Sequence, residues 1–186
     1  MNIANQLTML RIVLVFIFMA VIWIPMFELT TTLWIALAIF VVASFTDFLD
    51  GYIARKLNLI TNLGKFMDPL ADKMLVTAAM IALIYLGPNI PNGILPAWIV
   101  LLILLREFAV SGIRLVAASQ SVVLAANGLG KLKTVVQMIM IGVYLCPISN
   151  NFLITLALIL AYLALILTIA SGAKYILDNT HVFWEG

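Results

Sequence analysis

The sequence predicts an all-α integral membrane protein with six transmembrane helices. Of its 186 residues, 65% are hydrophobic and only 10% are charged. In soluble domains apolar residues make up about half of the chain and charged residues about a quarter. At about 20 residues per membrane helix, six spans take roughly 120 residues and leave only short connections. We therefore expect a single membrane domain over residues 1–186, with its function among the helices or at their ends.

Six apolar segments follow one another along the chain, separated by residues typical of turns. The segments are 11–25, 31–52, 65–86, 95–116, 132–146 and 152–171. The first ends at Pro25, and the fifth ends just before Pro147. The uncharged stretch 74–105 is too long for one span, and the Gly, Pro and Asn residues within 87–93 divide it into the third and fourth segments.

The first eleven residues alternate polar and apolar side chains. This pattern suits a short amphipathic helix lying on the inner membrane surface. It equally suits the loosely formed start of the first span, so both interpretations stay open.

The distribution of charge predicts the orientation. If the N-terminus is cytoplasmic, all ten Lys and Arg residues fall in the inner half of the membrane or beyond, and Glu28 is the only acidic residue on the outer side. Such asymmetry is what the positive-inside rule requires. We expect both termini in the cytoplasm and the polar groups facing it.

The scarcity of Cys and His excludes several chemistries. Cys146 is the only cysteine and His181 the only histidine, which rules out an intrachain disulfide, a Cys/His zinc site and a histidine-dependent nucleophilic relay. The net charge is only +2, with no basic block, so nucleic acid is not expected as a partner.

Four aspartates stand where the second predicted span ends and the third begins: Asp47, Asp50, Asp68 and Asp72. An ionised carboxylate within a membrane helix costs up to about 3 kcal/mol on insertion scales. Each helix presents its acids on one face, at spacings i,i+3 and i,i+4. All-oxygen ligation favours Mg²⁺ or Mn²⁺, so the acids predict one or two bound divalent cations. The alternative is a helix end held by salt bridges to nearby basic residues.

Small residues accompany these acids. Gly51 and Ala54 lie on the same side of the second helix and leave room for a bulky group to approach the backbone. Arg55 beside them suits a phosphate. Gly64 shares a helix face with Asp68 and Asp72. A helix end stabilised only by salt bridges does not explain these small residues.

Together these residues form a pattern that resembles the signature of the CDP-alcohol phosphotransferase family. The eight fixed positions are Asp47, Asp50, Gly51, Ala54, Arg55, Gly64, Asp68 and Asp72. The resemblance implies six membrane helices, a homodimer, and transfer of a phosphatidyl or similar group from a CDP-linked donor to an alcohol with release of CMP. It also implies a two-metal site held by the acids, with Asp72 acting as general base and the remaining four positions binding the donor.

The residues alone are consistent with that chemistry. A pyrophosphate donor adds negative charge to an acidic pocket, so cations are needed between carboxylates and phosphate oxygens. Asp72 would accept the proton of the attacking hydroxyl. No activated Ser, Cys or His accompanies the acids, which favours direct in-line attack over a covalent intermediate.

Basic residues in the fourth and fifth spans predict a binding site for an anionic acceptor. Arg114, Lys131 and Lys133 suit a phosphate monoester. Arg106 falls near mid-bilayer, where an arginine is a functional candidate. The alternatives are that the basic side chains only anchor helix ends in anionic lipid, and that Arg106 forms an ion pair with an acid on another helix.

The segments 106–114 and 125–134 and the Ser171-Gly172-x2-Tyr175 sequence resemble the bacterial phosphatidylglycerophosphate synthase branch of the family. This resemblance implies CDP-diacylglycerol as donor, glycerol 3-phosphate as acceptor, a hydrogen bond from Tyr175 to the acceptor, and a place in the bacterial cytoplasmic membrane.

Two rival hypotheses remain. Within the family, the acceptor could instead be serine, inositol phosphate or phosphatidylglycerol. Outside it, intramembrane acids also mark ion pathways, which would make the protein a divalent-cation carrier. Against the carrier, all four aspartates lie at the inner end, and no polar trail continues through the outer halves of the predicted spans.

Overall fold

The computed structural model describes residues 3–56, 62–119 and 128–178; within these ranges the side chains at 3–5, 7, 47–56, 62–70, 72, 115–116 and 118–119 are not described. The described residues form six α-helices, one short 3-10 turn and no strand. The helices are α1 (Ile3–Trp23), α2 (Leu29–Lys56), α3 (Asn62–Leu86), α4 (Ala97–Ser119), α5 (Gly128–Leu145) and α6 (Asn151–Asp178). The all-α expectation is confirmed for this part of the chain.

Each predicted segment corresponds to one helix, but several helices extend beyond the predicted ends. α2 continues past residue 52 to Lys56, and α6 continues past residue 171 to Asp178. α6 continues because Gly172 and Tyr175 are buried against its neighbours, so packing stabilises turns that hydropathy alone would end.

The N-terminal segment is not a separate surface helix. α1 runs without a break from Ile3 to Trp23, so the described part of residues 1–11 is the start of the first long helix, as the second of the two interpretations held. Thr8 and Arg11 are buried, which places this part of α1 against the rest of the protein.

The surface of the helices is apolar. Phe16, Phe45, Phe108 and Phe152 each expose more than half of their surface, an arrangement that suits lipid rather than water. Within the described part of the chain, three helices are long and apolar enough to cross a membrane, and they contain Leu29–Thr46, Gly128–Leu145 and Asn151–Asp178. Shorter apolar stretches are Thr8–Trp23 and Lys73–Asn89. These features support a membrane protein.

Small residues line the helix contacts. Ala157, Ala161 and Ala164 are fully buried along one face of α6, at the spacing that lets two helix backbones approach closely. α6 packs against α5 and α4, while α1 packs against α2 and α3. This arrangement brings the start of α5 and the end of α6 beside the second half of α4.

The opposite end of the bundle is closed by turns with specific hydrogen bonds. Gly87 and Gly93 have positive φ angles of 49° and 92°, a conformation that glycine adopts without steric cost. The buried Asn92 side chain donates to the carbonyl oxygens of Val143 at 2.9 Å and Cys146 at 2.7 Å. The predicted break between the third and fourth helices is therefore present and is tied to the end of α5.

Candidate functional site

A polar cavity of about 210 Å³ lies between the middle of α3, the second half of α4, the start of α5 and the end of α6. Its described lining carries five basic side chains and one carboxylate. These are Lys73, Arg106, Arg114, Lys131, Lys133 and Glu107. The volume lies below the roughly 300 Å³ at which pockets for drug-sized ligands begin. Size and charge therefore suit a small anion.

The structure brings the five residues predicted to bind the acceptor to this cavity. Arg106 and Arg114 come from α4, Lys131 and Lys133 from the first turns of α5, and Tyr175 from the last turns of α6. They meet because α6 packs against both α4 and α5. Their roles in binding remain predictions.

Arg114 is held by Tyr175. Its Nε donates to the Tyr175 hydroxyl oxygen at 3.3 Å, and the guanidinium carbon lies 5.3 Å from the centre of the Tyr175 ring. Tyr175 is buried, whereas Arg114 is exposed. The aromatic ring thus orients a cation at the cavity wall through a hydrogen bond and a cation–π contact.

Arg106 is held by contacts on two helices. Its Nη1 donates to Glu107 Oε1 at 3.2 Å on the same helix, and its Nη2 donates to Ser171 Oγ at 2.9 Å on α6. The alternative of an ion pair with an acid on another helix is wrong for the described residues, because the carboxylate that Arg106 meets is its own neighbour in sequence. α6 contributes a hydroxyl instead.

Glu107 connects α4 with α5. Its Oε1, which pairs with Arg106, also accepts a hydrogen bond from the Lys133 ammonium. Lys133 is buried, and a buried ammonium is costly without such a partner. Sequence reasoning gave Glu107 no role.

Lys73 connects α3 with α4. Its ammonium donates to Ser111 Oγ, and Ser111 Oγ donates to the Glu107 carbonyl oxygen at 2.5 Å. Sequence reasoning gave Lys73 no role of its own. Lys73 follows Asp72 directly in sequence. Because a helix places successive side chains about a quarter-turn apart, this position could have suggested that Lys73 lies close to the predicted site.

Two further cavities border Lys73. A narrow one of about 30 Å³ is lined by Thr77, Met80 and Gln137 among others. An open apolar groove of about 300 Å³ runs between α1, α3 and α4, past Trp23 and Phe108. Lys73 therefore lies at the junction of the polar cavity and an apolar groove.

Sequence reasoning missed several groups that shape the polar cavity. These are Lys73, Glu107, Ser111 and Ser171, together with Gly172, whose backbone lies against Arg106. Ser171 and Gly172 had been noted only as part of a resemblance. Their contacts depend on how α4 faces α6, which local spacing does not specify.

The eight signature positions lie on two helices in contact with each other. Five are in the second half of α2, and three are in the first half of α3. Their side chains fall outside the described ones, so the predicted metal ligands and donor-binding groups stay predictions. The absence of a carboxylate cluster suited to a metal refers only to the described side chains and does not test them.

Comparison with known proteins agrees with the signature. Residues 1–170 match the CDP-alcohol phosphatidyltransferase family. The chain is 42% identical to the CDP-diacylglycerol–glycerol-3-phosphate 3-phosphatidyltransferase of Bacillus subtilis, over 99% of this chain and 96% of that protein. Proteins of the same name from Rickettsia typhi and Haemophilus influenzae are 38% and 33% identical, each over 94% of this chain and over 94% and 91% of their own lengths.

The family match spans most of the chain, and it includes all eight positions from which the resemblance was inferred. The chain belongs to the CDP-alcohol phosphatidyltransferase family.

Proposed function

We propose that this protein transfers a phosphatidyl group from CDP-diacylglycerol to glycerol 3-phosphate, forming phosphatidylglycerol phosphate and CMP. The observation that carries the proposal is the cavity with five basic side chains, which borders α3 at the residue directly after Asp72. A small phosphate ester is the ligand that such a cavity suits best. The names of its full-length relatives specify the same donor and acceptor.

The acceptor phosphate is bound at the cytoplasmic end of this cavity. Arg114 supplies a planar fork of donors, held by Tyr175, and Lys131 supplies a point charge. Lys133, paired with Glu107, adds positive charge farther along the cavity. Tyr175 already engages Arg114, so its hydroxyl acts chiefly by orienting that guanidinium. Arg106 supports the inner wall through Ser171 and Glu107.

The donor lies toward the signature helices. Gly51, Ala54, Arg55 and Gly64 bind its CDP portion. The apolar groove beside Trp23 and Phe108 supports a lipid donor, because it offers an acyl chain a hydrocarbon surface that meets the polar cavity at Lys73.

Asp47, Asp50, Asp68 and Asp72 hold two divalent cations, which are Mg²⁺ or Mn²⁺. An all-carboxylate donor set fits these hard ions, and α2 and α3, which carry the acids, contact each other. The chemistry that such ions supply when bound is polarisation of the donor phosphates and stabilisation of the departing CMP.

The transfer is a single displacement. The acceptor hydroxyl oxygen forms a bond to the phosphorus of the phosphatidyl group, and the bond from that phosphorus to the CMP oxygen breaks. Asp72 takes the hydroxyl proton. The helical position of Asp72, one residue before Lys73 at the cavity, supports this role.

The whole chain, residues 1–186, forms one membrane domain with six spans, and its active site faces the cytoplasm. The convergence of Lys73, Arg114, Lys131 and Lys133 on one cavity supports a common side for the basic residues, as the positive-inside rule expects. Both termini lie in the bacterial cytoplasm, and two copies form a homodimer.

The test is CMP release by purified protein in detergent micelles that contain CDP-diacylglycerol. We expect release only when glycerol 3-phosphate and Mg²⁺ or Mn²⁺ are both present, and complete loss with a chelator. A panel with serine, inositol phosphate and phosphatidylglycerol tests the acceptor, and activity with one of these alone contradicts the proposal. Metal flux into liposomes without CMP release would instead identify a divalent-cation carrier.

A further inference from the structure

Glu107 is the only carboxylate among the described side chains that line the polar cavity. Its side chain is 20% exposed. A carboxylate repels the phosphate that the surrounding cations suit. Its presence therefore needs a reason beyond phosphate binding.

The two oxygens of Glu107 have different surroundings. Oε1 accepts from both Arg106 and Lys133. Among the residues whose side chains the structure describes, none makes a hydrogen bond or ion pair with Oε2. Since the two cations at Oε1 offset the negative charge, Oε2 remains a strong hydrogen-bond acceptor at the cavity.

The cavity also has two chemically different ends. Glu107 and Arg114 are seven residues apart on α4, which is about 10 Å along a helix that rises about 1.5 Å per residue. Arg114 contacts Tyr175 at one end, and Glu107 pairs with Lys133 at the other. An elongated ligand with a phosphate at one end and hydroxyl groups at the other matches this order.

We propose that Glu107 is a specificity-determining residue, whose Oε2 accepts a hydrogen bond from the acceptor hydroxyl that does not react. In glycerol 3-phosphate this is the hydroxyl on the middle carbon. The inference rests on the proposed function. It makes the cavity selective for polyol phosphates over other phosphate esters, because a half-buried carboxylate left without its hydroxyl partner penalises the wrong substrate.

The test compares glycerol 3-phosphate with 3-hydroxypropyl phosphate, which keeps the phosphate and the reacting hydroxyl but lacks the middle one. With wild-type protein, kcat/KM for glycerol 3-phosphate is expected to exceed that for the analogue by on the order of tenfold or more. In Glu107→Ala the ratio is expected to fall to about one. In Glu107→Gln, whose amide oxygen accepts more weakly, we expect an intermediate ratio.

The ratio separates recognition from support of the fold. If Glu107 only positions Lys133, its loss lowers kcat/KM for both substrates equally, and a variant that keeps the wild-type ratio overturns the inference. Glu107→Gln provides the same test if Glu107→Ala does not fold. Glu28→Ala removes an exposed carboxylate between α1 and α2, and it is expected to keep the wild-type ratio.

The controls also separate this inference from the proposed function. Equal use of the two esters by wild-type protein overturns the role of Glu107 and leaves the proposed function standing. Wild-type protein that releases CMP with neither ester contradicts the proposed function, and the inference falls with it.

Discussion

Arg106 passes directly over the backbone of Gly172. A Cβ atom added at Gly172 would lie 2.9 Å from both Cγ and Nε of Arg106, a separation at which one of the two groups must move. The same arginine donates to the Ser171 hydroxyl. Two consecutive residues of α6 therefore position Arg106: Ser171 accepts its hydrogen bond, and Gly172 leaves space for its side chain.

We therefore expect Gly172→Ala to displace Arg106 and to lower kcat/KM for glycerol 3-phosphate by about tenfold, since overpacking of this kind costs about 1–3 kcal/mol. Steady-state rates of CMP release measure kcat/KM in this variant. Gly142→Ala is the matched control, because its added Cβ would meet Leu37 Cδ1 only at 4.0 Å. Equal activity of the two variants would show that Arg106 can be displaced without consequence.

Arg114→Ala is expected to raise KM for glycerol 3-phosphate by roughly ten- to a hundredfold, the range for loss of a charge-assisted hydrogen bond. The KM for CDP-diacylglycerol is expected to change little, because Arg114 lies on the acceptor side of the cavity. Initial rates over a grid of both substrate concentrations measure the two constants. Equal increases in both would reject the assignment of Arg114 to the acceptor.

Tyr175→Phe and Tyr175→Leu separate the hydrogen bond from the cation–π contact between Tyr175 and Arg114. The first removes the hydroxyl that accepts from Arg114 Nε, and the second also removes the ring 5.3 Å from the guanidinium carbon. We expect a KM increase for glycerol 3-phosphate of about threefold in Tyr175→Phe and about tenfold in Tyr175→Leu. A larger effect in Tyr175→Phe would instead indicate direct binding of substrate by the hydroxyl.

Asp72→Asn is expected to lower kcat by about 10²–10⁴-fold, the usual contribution of a general base, while the donor still binds. Turnover and equilibrium binding of CDP-diacylglycerol provide the two measurements. Asp178→Asn, at the exposed end of α6, removes a carboxylate remote from the signature and serves as control. An Asp72→Asn protein with most of its activity would exclude Asp72 as the base.

Asn92→Ala is expected to reduce stability rather than catalysis. The side chain is buried and donates to two carbonyl oxygens near the end of α5, so its loss removes one donor from each of these acceptors at a cost of about 1–3 kcal/mol. Thermal unfolding in detergent measures the change. Asn89→Ala, at an exposed position of the same connection, is expected to unfold like wild type, and an equal loss of stability in both would refute a specific role for Asn92.

The sequence was sufficient to predict the helices because hydropathy and turn residues are local properties. All six predicted segments have a corresponding helix, and the Gly87 and Gly93 turns divide the long apolar stretch as expected. The ends were less predictable. Gly172 and Tyr175 continue α6 because they pack inward, and an inward contact depends on residues distant in sequence.

The same reasoning explains what could be predicted of the site. Charge and family resemblance selected Arg114, Lys131, Lys133 and Tyr175, which the structure brings to one cavity. The shared carboxylate oxygen of Glu107 depends on the rotation of α4 relative to α5, and periodicity within one helix carries no information about that rotation.

Lys73 borders both the cationic cavity and the apolar groove. In the proposed reaction, the lipid donor and the soluble acceptor therefore approach Lys73 by separate routes. A lipid can slide in sideways from the leaflet with its tails never leaving hydrocarbon, while the small ester diffuses in from solution. The two substrates therefore do not compete for one entrance, and either one can bind first.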